Sequence, residues 1–278
     1  MSIISIQERN FNTNKNFNSL ELSIQLSLNG FSYLISDSER YRAFHFEPLP
    51  IDIFYDDFVS KAAEFLEKEI FQNSFRKISI LFSSFQSILL PEVAFNVNNL
   101  RKMFEVSHDI NDDDMLSYNK IADFYLVFTL NSYISSVVAN SLNKAIVYHH
   151  SFPVITKALV EVKNIVDSVV WINIQTAFFD ILVFKNSKLV FSNSFRYKNV
   201  SDYIFFVMNI FEQLKLHPLR TKVLLMGKVQ HDSAYFHSVC TFIKDVQLLK
   251  PDELFNQKSG NLIDGFYYHQ HVGLFSMI

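Results

Sequence analysis

The chain has 278 residues, with 28 acidic and 25 basic side chains well mixed along it; a net charge of −3 offers nucleic acid no basic patch or arm. One cysteine, Cys240, excludes an internal disulfide and a cysteine-based metal site, and only 5 glycines argue against a glycine-rich phosphate cradle. Apolar residues make up 49%, enough to build a core in two domains of ordinary size or one large one.

The N-terminus, "MSIISIQERNFNTNKNFNSLELS", lacks the basic start and continuous apolar stretch of a signal peptide. Residues 1–19, rich in asparagine between Asn10 and Asn18, read as a mobile leader. The longest apolar runs, "YIFFVMNIF" and "FYLVFTL", are far shorter than the ~18 residues of a membrane span. The expectation is a cytoplasmic protein that is not integral to a membrane.

From Glu21 the chain alternates. Leu22, Ile24, Leu26 and Leu28 share one strand face, Phe31, Tyr33 and Ile35 follow a bend at Asn29-Gly30, and Tyr41 to Phe46 runs back after Asp37-Ser38-Glu39. In "IDIFYDDFVSKAAEFLEKEIF", Tyr55, Val59, Ala62, Ala63, Leu66 and Ile70 make a helical stripe, with Asp57–Lys61 and Glu64–Lys68 spaced four apart on the wet side. "KISILF" is a short buried strand. Region 84–150 reads as hairpin and helix, then strand 119–129, helix 131–142 and strand 145–149; helix 152–166 leads onward.

The opening order then recurs. "SVVWINIQ", "FFDILVF" and "KLVFSNSF" are three strands, with a turn at Lys185-Asn186-Ser187. "SDYIFFVMNIFEQLKL" is a helix capped by Ser201 and ended before Pro218. Being apolar nearly all round, it should be more buried than its counterpart. "TKVLLMG" is the short strand. Gln25 aligns with Asn173, Ser38 with Asn186 and Asp52 with Ser201, at offsets of 148, 148 and 149, so the ordering of elements marks an internal repeat.

Smaller clusters have plain structural readings. His269 and His271 would share a strand face, but no carboxylate or cysteine completes a metal site, so a structural role is preferred. His149-His150-Ser151 is a conceivable nucleophile–base pair, but without a nucleophile elbow Ser151 reads as a helix cap. In His231-Asp232-Ser233, Asp232 or Ser233 should cap the helix bearing Cys240, itself read as a core thiol.

A doubled β-β-β-α-β unit resembles the duplicated ribonuclease-H-like fold of actin-like ATPases, with an inserted α/β subdomain in the first half. "FSSFQSILLPEVAF", "HHSFPVITKAL" and the hairpin "FFDILVFKNSKLVFSNSFRY" before a long apolar helix are similar to the domain-of-unknown-function 3822 family of Bacteroidetes, whose likeness is to PilM- and FtsA-type proteins. The resemblance covers about residues 20–275. It implies a first actin-like domain over 20–167, including the insertion 84–150, and a second over 168–278.

Actin-like ATPases place an aspartate and glycines in each half's first hairpin and a Gly-Gly turn near the adenosine. Against that pattern Gln25 and Asn173 replace the acids, and Ser27 and Gln175 replace glycines. Thr176 matches a hydroxyl position, and Met226-Gly227-Lys228 keeps one glycine of two. Where a water-positioning carboxylate is expected stands Ser83-Ser84-Phe85-Gln86. Amides are poor holders for magnesium. No cofactor is therefore expected, and the reading is a non-catalytic scaffold with a degenerate cleft of Gln25, Ser27, Asn173, Gln175, Thr176 and Gly227. One alternative is an ATPase or kinase with an atypical site, using ATP and magnesium. Another is a small-molecule binder using the cleft between halves. The partner is expected to be a protein or a second copy, engaged through residues 119–130 if "FYLVFTL" lies at a sheet edge.

Overall fold

The computed structural model describes residues 4–7, 17–50, 53–142, 144–259 and 267–277. Most of the expected leader, and Asp52, lie outside the described residues. The chain divides into two compact units, Met1–Pro153 with Pro251–Phe266 and Gly273–Ile278, and Val154–Lys250 with Tyr267–Val272.

The first unit opens with β1 (Ile4–Gln7), where a mobile leader was expected. It continues through β2 (Glu21–Ser27), β3 (Gly30–Ser36), β4 (Tyr41–Pro48), α1 (Tyr55–Leu66) and β5 (Lys77–Phe82). The insertion holds β6 (Ser87–Pro91), α2 (Leu100–Glu105), β7 (Asp114–Ile121), β8 (Phe124–Asn131) and α3 (Ser132–Ser141). Then come β9 (Ile146–His149) and α4 (Ser151–Glu161). The main sheet runs β1-β4-β3-β2-β5-β9, with β5 parallel to β2 and β9 parallel to β5.

Alternation explains the packing. Leu22, Ile24 and Leu26 send their side chains to a core shared with Phe31, Ile35, Ile80 and Phe82, closed by Phe58, Ala62 and Leu66 of α1. Each such fully buried aliphatic or aromatic side chain contributes roughly 1.5–3 kcal/mol. Lys68 turns from its expected partner Glu64 to Glu47 at 2.9 Å.

The second unit holds β10 (Val169–Ile174), β11 (Phe178–Lys185), β12 (Lys188–Arg196), α5 (Val200–Gln213), β13 (Lys222–Gly227), α6 (Ala234–Phe242) and β14 (Asp245–Leu248). Two short helices follow, α7 (Glu253–Ser259) and α8 (Val272–Phe275). The sheet order is β12-β11-β10-β13-β14, with β13 and β14 parallel to β10. This repeats β4-β3-β2-β5-β9 strand for strand. Register shifts fall between Ile35 and Ser36 in one sheet and between Val183 and Phe184 in the other, bulging Arg42 and Val190, again 148 apart.

Several expectations change. The strand read at 119–129 is the end of β7, a turn and β8; β8 is the middle of a three-stranded sheet, β6-β8-β7. Its apolar run is therefore paired on both sides, and the edge-strand interface expected at 119–130 has no free β8 edge. The α5 helix is capped by Asn199, which accepts from Asp202 N at 3.0 Å, and not by Ser201. Nor is it the more buried helix. Only Tyr203, Val207, Ile210 and Phe211 are buried, because one face meets the sheet and α6 while Phe205 stays 64% exposed. Cys240 is exposed on α6, whose inward residue is Val239.

Candidate functional site

In both units the first hairpin turns in two residues. Ser27 pairs with Gly30 across Leu28-Asn29, and Gln175 N donates to Phe178 O at 2.9 Å across Thr176-Ala177. Such short turns spend backbone groups on closure. Ser27 is buried and its Oγ donates to Gly30 O at 3.0 Å. Tyr197 Oη donates to Gln175 O at 2.5 Å.

The two glycines at these sites have local reasons. Gly30 adopts φ +144°, and a Cβ there would lie 2.4 Å from Glu47 O and 2.7 Å from the Phe46 ring. Gly227 adopts φ +83°, and its Cβ would lie 2.1 Å from Ile174 O and 2.7 Å from Asn173 Oδ1. Each permits close backbone contact with a neighbouring strand in a conformation that L side chains rarely adopt.

Gln25 and Ser27 belong to the first unit. Gln25 is half-buried, opposite Ser32 on β3 and Leu81 on β5. Asn173, Gln175, Thr176 and Gly227 are brought together in the second. Asn173 is buried and donates through Nδ2 to Asp180 Oδ2 at 3.1 Å, while Ser194 Oγ donates to Asp180 Oδ1 at 2.6 Å. Lys228 Nζ lies 3.5 Å from Thr176 Oγ1.

Asp180 corrects the picture of an acid-free hairpin. A buried carboxylate is present, one strand away from the expected anchor. It was legible in the sequence: a two-residue turn at Thr176-Ala177 makes Asn173 and Asp180 direct cross-strand partners. Gln25, in the same place, has Ser32 as its cross-strand partner.

His149, also missed as more than a motif, is buried at the end of β9. Its Nε2 donates to Ser84 O at 2.8 Å and its Nδ1 accepts from Ser151 N at 3.3 Å. Burial, and then the charge of His150, hold its pKa well below the ordinary 6.5. That amide is the first of α4, so the histidine ring accepts at the start of the helix. His150 Nε2 lies 3.3 Å from Ser151 Oγ, both residues being buried. His269 and His271 are on and after a 3-10 turn, not a strand, and His269 Nε2 donates to Val229 O at 2.7 Å. Ser233 caps α6, accepting from Phe236 N at 3.2 Å. Among the described residues no group of three or more His, Cys, Asp or Glu could hold a metal ion, and no helix is long and apolar enough to cross a membrane.

A family model described as "Protein of unknown function (DUF3822)" matches residues 8–246. The chain belongs to this family. Among solved structures, the DUF3822 chain is similar to a Bacteroides thetaiotaomicron protein described as having an actin-like ATPase fold and unknown function. The two are 18% identical, with a TM-score of 0.76 over 84% of this chain and 91% of that one. A second likeness is to the PilM–PilN type IV pilus biogenesis complex, at 8% identity and TM-score 0.57, over 92% of this chain and 95% of that one. The DUF3822 chain thus has the actin-like, ribonuclease-H-like fold. No curated protein matches it.

Proposed function

We propose that this chain is a cytoplasmic, non-catalytic actin-like scaffold that engages another protein, its two halves being copies of one unit. The observation that carries the reading is the use made of the nucleotide-site positions. Gly30 and Gly227 serve close strand contacts, the Gln175 amide closes a turn, and Asn173 is bonded to Asp180. An actin-like ATPase would turn such glycines and amides towards phosphate oxygens. With amides at Gln25 and Asn173, neither anchor position offers magnesium a carboxylate, and the nearby Asp180 carboxylate accepts from Asn173 and Ser194. The likeness to the PilM–PilN type IV pilus biogenesis complex supports a protein-engaging role.

Calorimetry of the purified chain with ATP, ADP and Mg²⁺ tests the reading. The expected result is no magnesium-dependent binding and no hydrolysis above background. Tight magnesium-dependent binding, with turnover lost on Asn173→Ala, would establish the second reading, an ATPase or kinase with an atypical site. That reading draws on one specific observation, the buried Asp180 carboxylate beside Asn173.

A further inference from the structure

The repeated helices α1 and α5 differ on their outer faces. At the offset of 148, Val59, Ala62 and Ala63 of α1 match Val207, Ile210 and Phe211 of α5, and all six are buried. Outside, α1 exposes Asp56, Asp57, Ser60 and Lys61, where α5 has Ile204, Phe205, Met208 and Asn209. The unit thus folds with a charged outer face in one copy and carries an apolar one in the other. Phe205 is 64% exposed and Phe242, at the end of α6, is 52% exposed. Together with Met208, Leu216 and Pro218 they line an open groove of about 540 Å³. Exposed apolar surface of this kind marks a contact site.

Charge selects the occupant. Ser201, Phe205, Met208 and Glu212 are spaced four, three and four apart, so they share one stripe of α5, and Lys198 stands just before its first turn. Lys198 and Glu212 are exposed, and neither makes an ion pair within the chain among the described residues. A basic group at one end and an acidic group at the other make the stripe its own complement when reversed. With two copies antiparallel about a twofold axis at Phe205, each Lys198 lies opposite the partner's Glu212, and each Ser201 opposite the partner's Asn209. Moving the axis one turn either way sets Phe205 against a charge, that of Glu212 or of Lys198. Parallel helices would set Lys198 on Lys198 and Glu212 on Glu212.

We propose that α5 is a dimerisation helix, packing antiparallel on α5 of a second copy of this chain about a twofold axis at Phe205. The apolar side chains of each copy fill the groove beside the other's Met208 and Phe242. Dimerisation goes beyond the scaffold reading, and nucleotide calorimetry does not bear on it.

Sedimentation equilibrium of the full chain, from about 1 μM to about 1 mM, tests this by reading the dissociation constant. The wild type should dimerise reversibly. Phe205→Ser should weaken the dimer about tenfold or more. Lys198→Glu sets an acid opposite Glu212 at two places and should weaken it about tenfold, and adding Glu212→Lys should restore the wild-type value. The charge variants change exposed side chains only, so they keep the test intact if Phe205→Ser does not fold. A chain that stays monomeric up to about 1 mM would overturn the proposal and leave the face to a different protein. A dimer indifferent to a folded Phe205→Ser, or a charge swap that does not restore association, would overturn it as well.

Discussion

Asn173 and Asp180 face each other across the β10–β11 hairpin, the amide nitrogen donating to the carboxylate at 3.1 Å. Ser194 donates to the other carboxylate oxygen at 2.6 Å, so the acid organises three adjacent strands. Asp180→Ala would leave a buried donor on Asn173 without its acceptor. Hydrogen bonds to charged groups are worth about 1.5–3 kcal/mol each, and the loss should be about 3 kcal/mol by urea unfolding. Asp180→Asn keeps part of the network and should lose less. An unchanged midpoint in Asp180→Ala would show that the network does not stabilise the fold.

The glycine argument predicts a graded series. Gly30→Ala and Gly227→Ala force a Cβ to within 2.4 and 2.1 Å of a neighbouring carbonyl oxygen and should each cost on the order of 3 kcal/mol. At Gly273, in α8, the nearest atoms to an added Cβ lie 3.6 Å away. Alanine there should be neutral or stabilise by roughly 0.5 kcal/mol. Thermal melts of the three variants check the order.

Acid should destabilise the protein through buried histidines. Burial, and then the charge of His269, pull His271 from 6.5 down to about 3. His149 is also held neutral in the fold. The unfolded chain takes up protons below about pH 6.5 and the folded chain does not. Stability is therefore full above pH 6.5 and falls with pH towards 3, by about 1.4 kcal/mol per pH unit for each such histidine. In His271→Asn, the slope of unfolding free energy between pH 6 and 4 should be smaller by one proton. An unaltered slope would remove His271 from the account.

Asn119 of β7 closes the outer edge of β9. Its Oδ1 accepts from His149 N at 2.9 Å and its Nδ2 donates to Val147 O at 3.2 Å. Asn119→Ala should cost about 1–3 kcal/mol and speed hydrogen exchange at the His149 amide. Asn119→Asp keeps the acceptor and should protect that amide. Equal exchange in both variants would contradict the clamp.

Much of the architecture was readable because side-chain alternation is local. Leu22, Ile24 and Leu26, or Val170, Ile172 and Ile174, announce strands wherever the chain places them, and the 148-residue offset aligns the two hairpins. Residues whose setting depends on distant elements were not readable. "FYLVFTL" looks the same at an edge or in the middle, and only β6 on its far side makes β8 central. Cys240 and Val239 are neighbours in an apolar stretch; the rotation of α6 alone buries one and exposes the other. The strand Asp245–Leu248 is only four residues long, too short for alternation to mark it. At the candidate site the substitutions for acids and glycines were visible in the sequence. The reasons Gly30 and Gly227 are glycines were not, since those lie in carbonyls of other strands.

The first unit is discontinuous in the chain, and this dictates the order in which a ribosome can complete it. Tyr41 packs on Phe255 at 5.6 Å and on Phe275 at 4.9 Å between ring centroids, and Lys77 Nζ donates to Met277 O at 3.3 Å. These partners are synthesised after the whole stretch Val154–Lys250 of the second unit. The nascent first unit therefore waits with Tyr41 and Phe44 uncovered while the second, nearly continuous in sequence, gathers its own core. Translation stopped at Pro153 would release the first unit without these rings, an exposed apolar surface of the kind that drives aggregation.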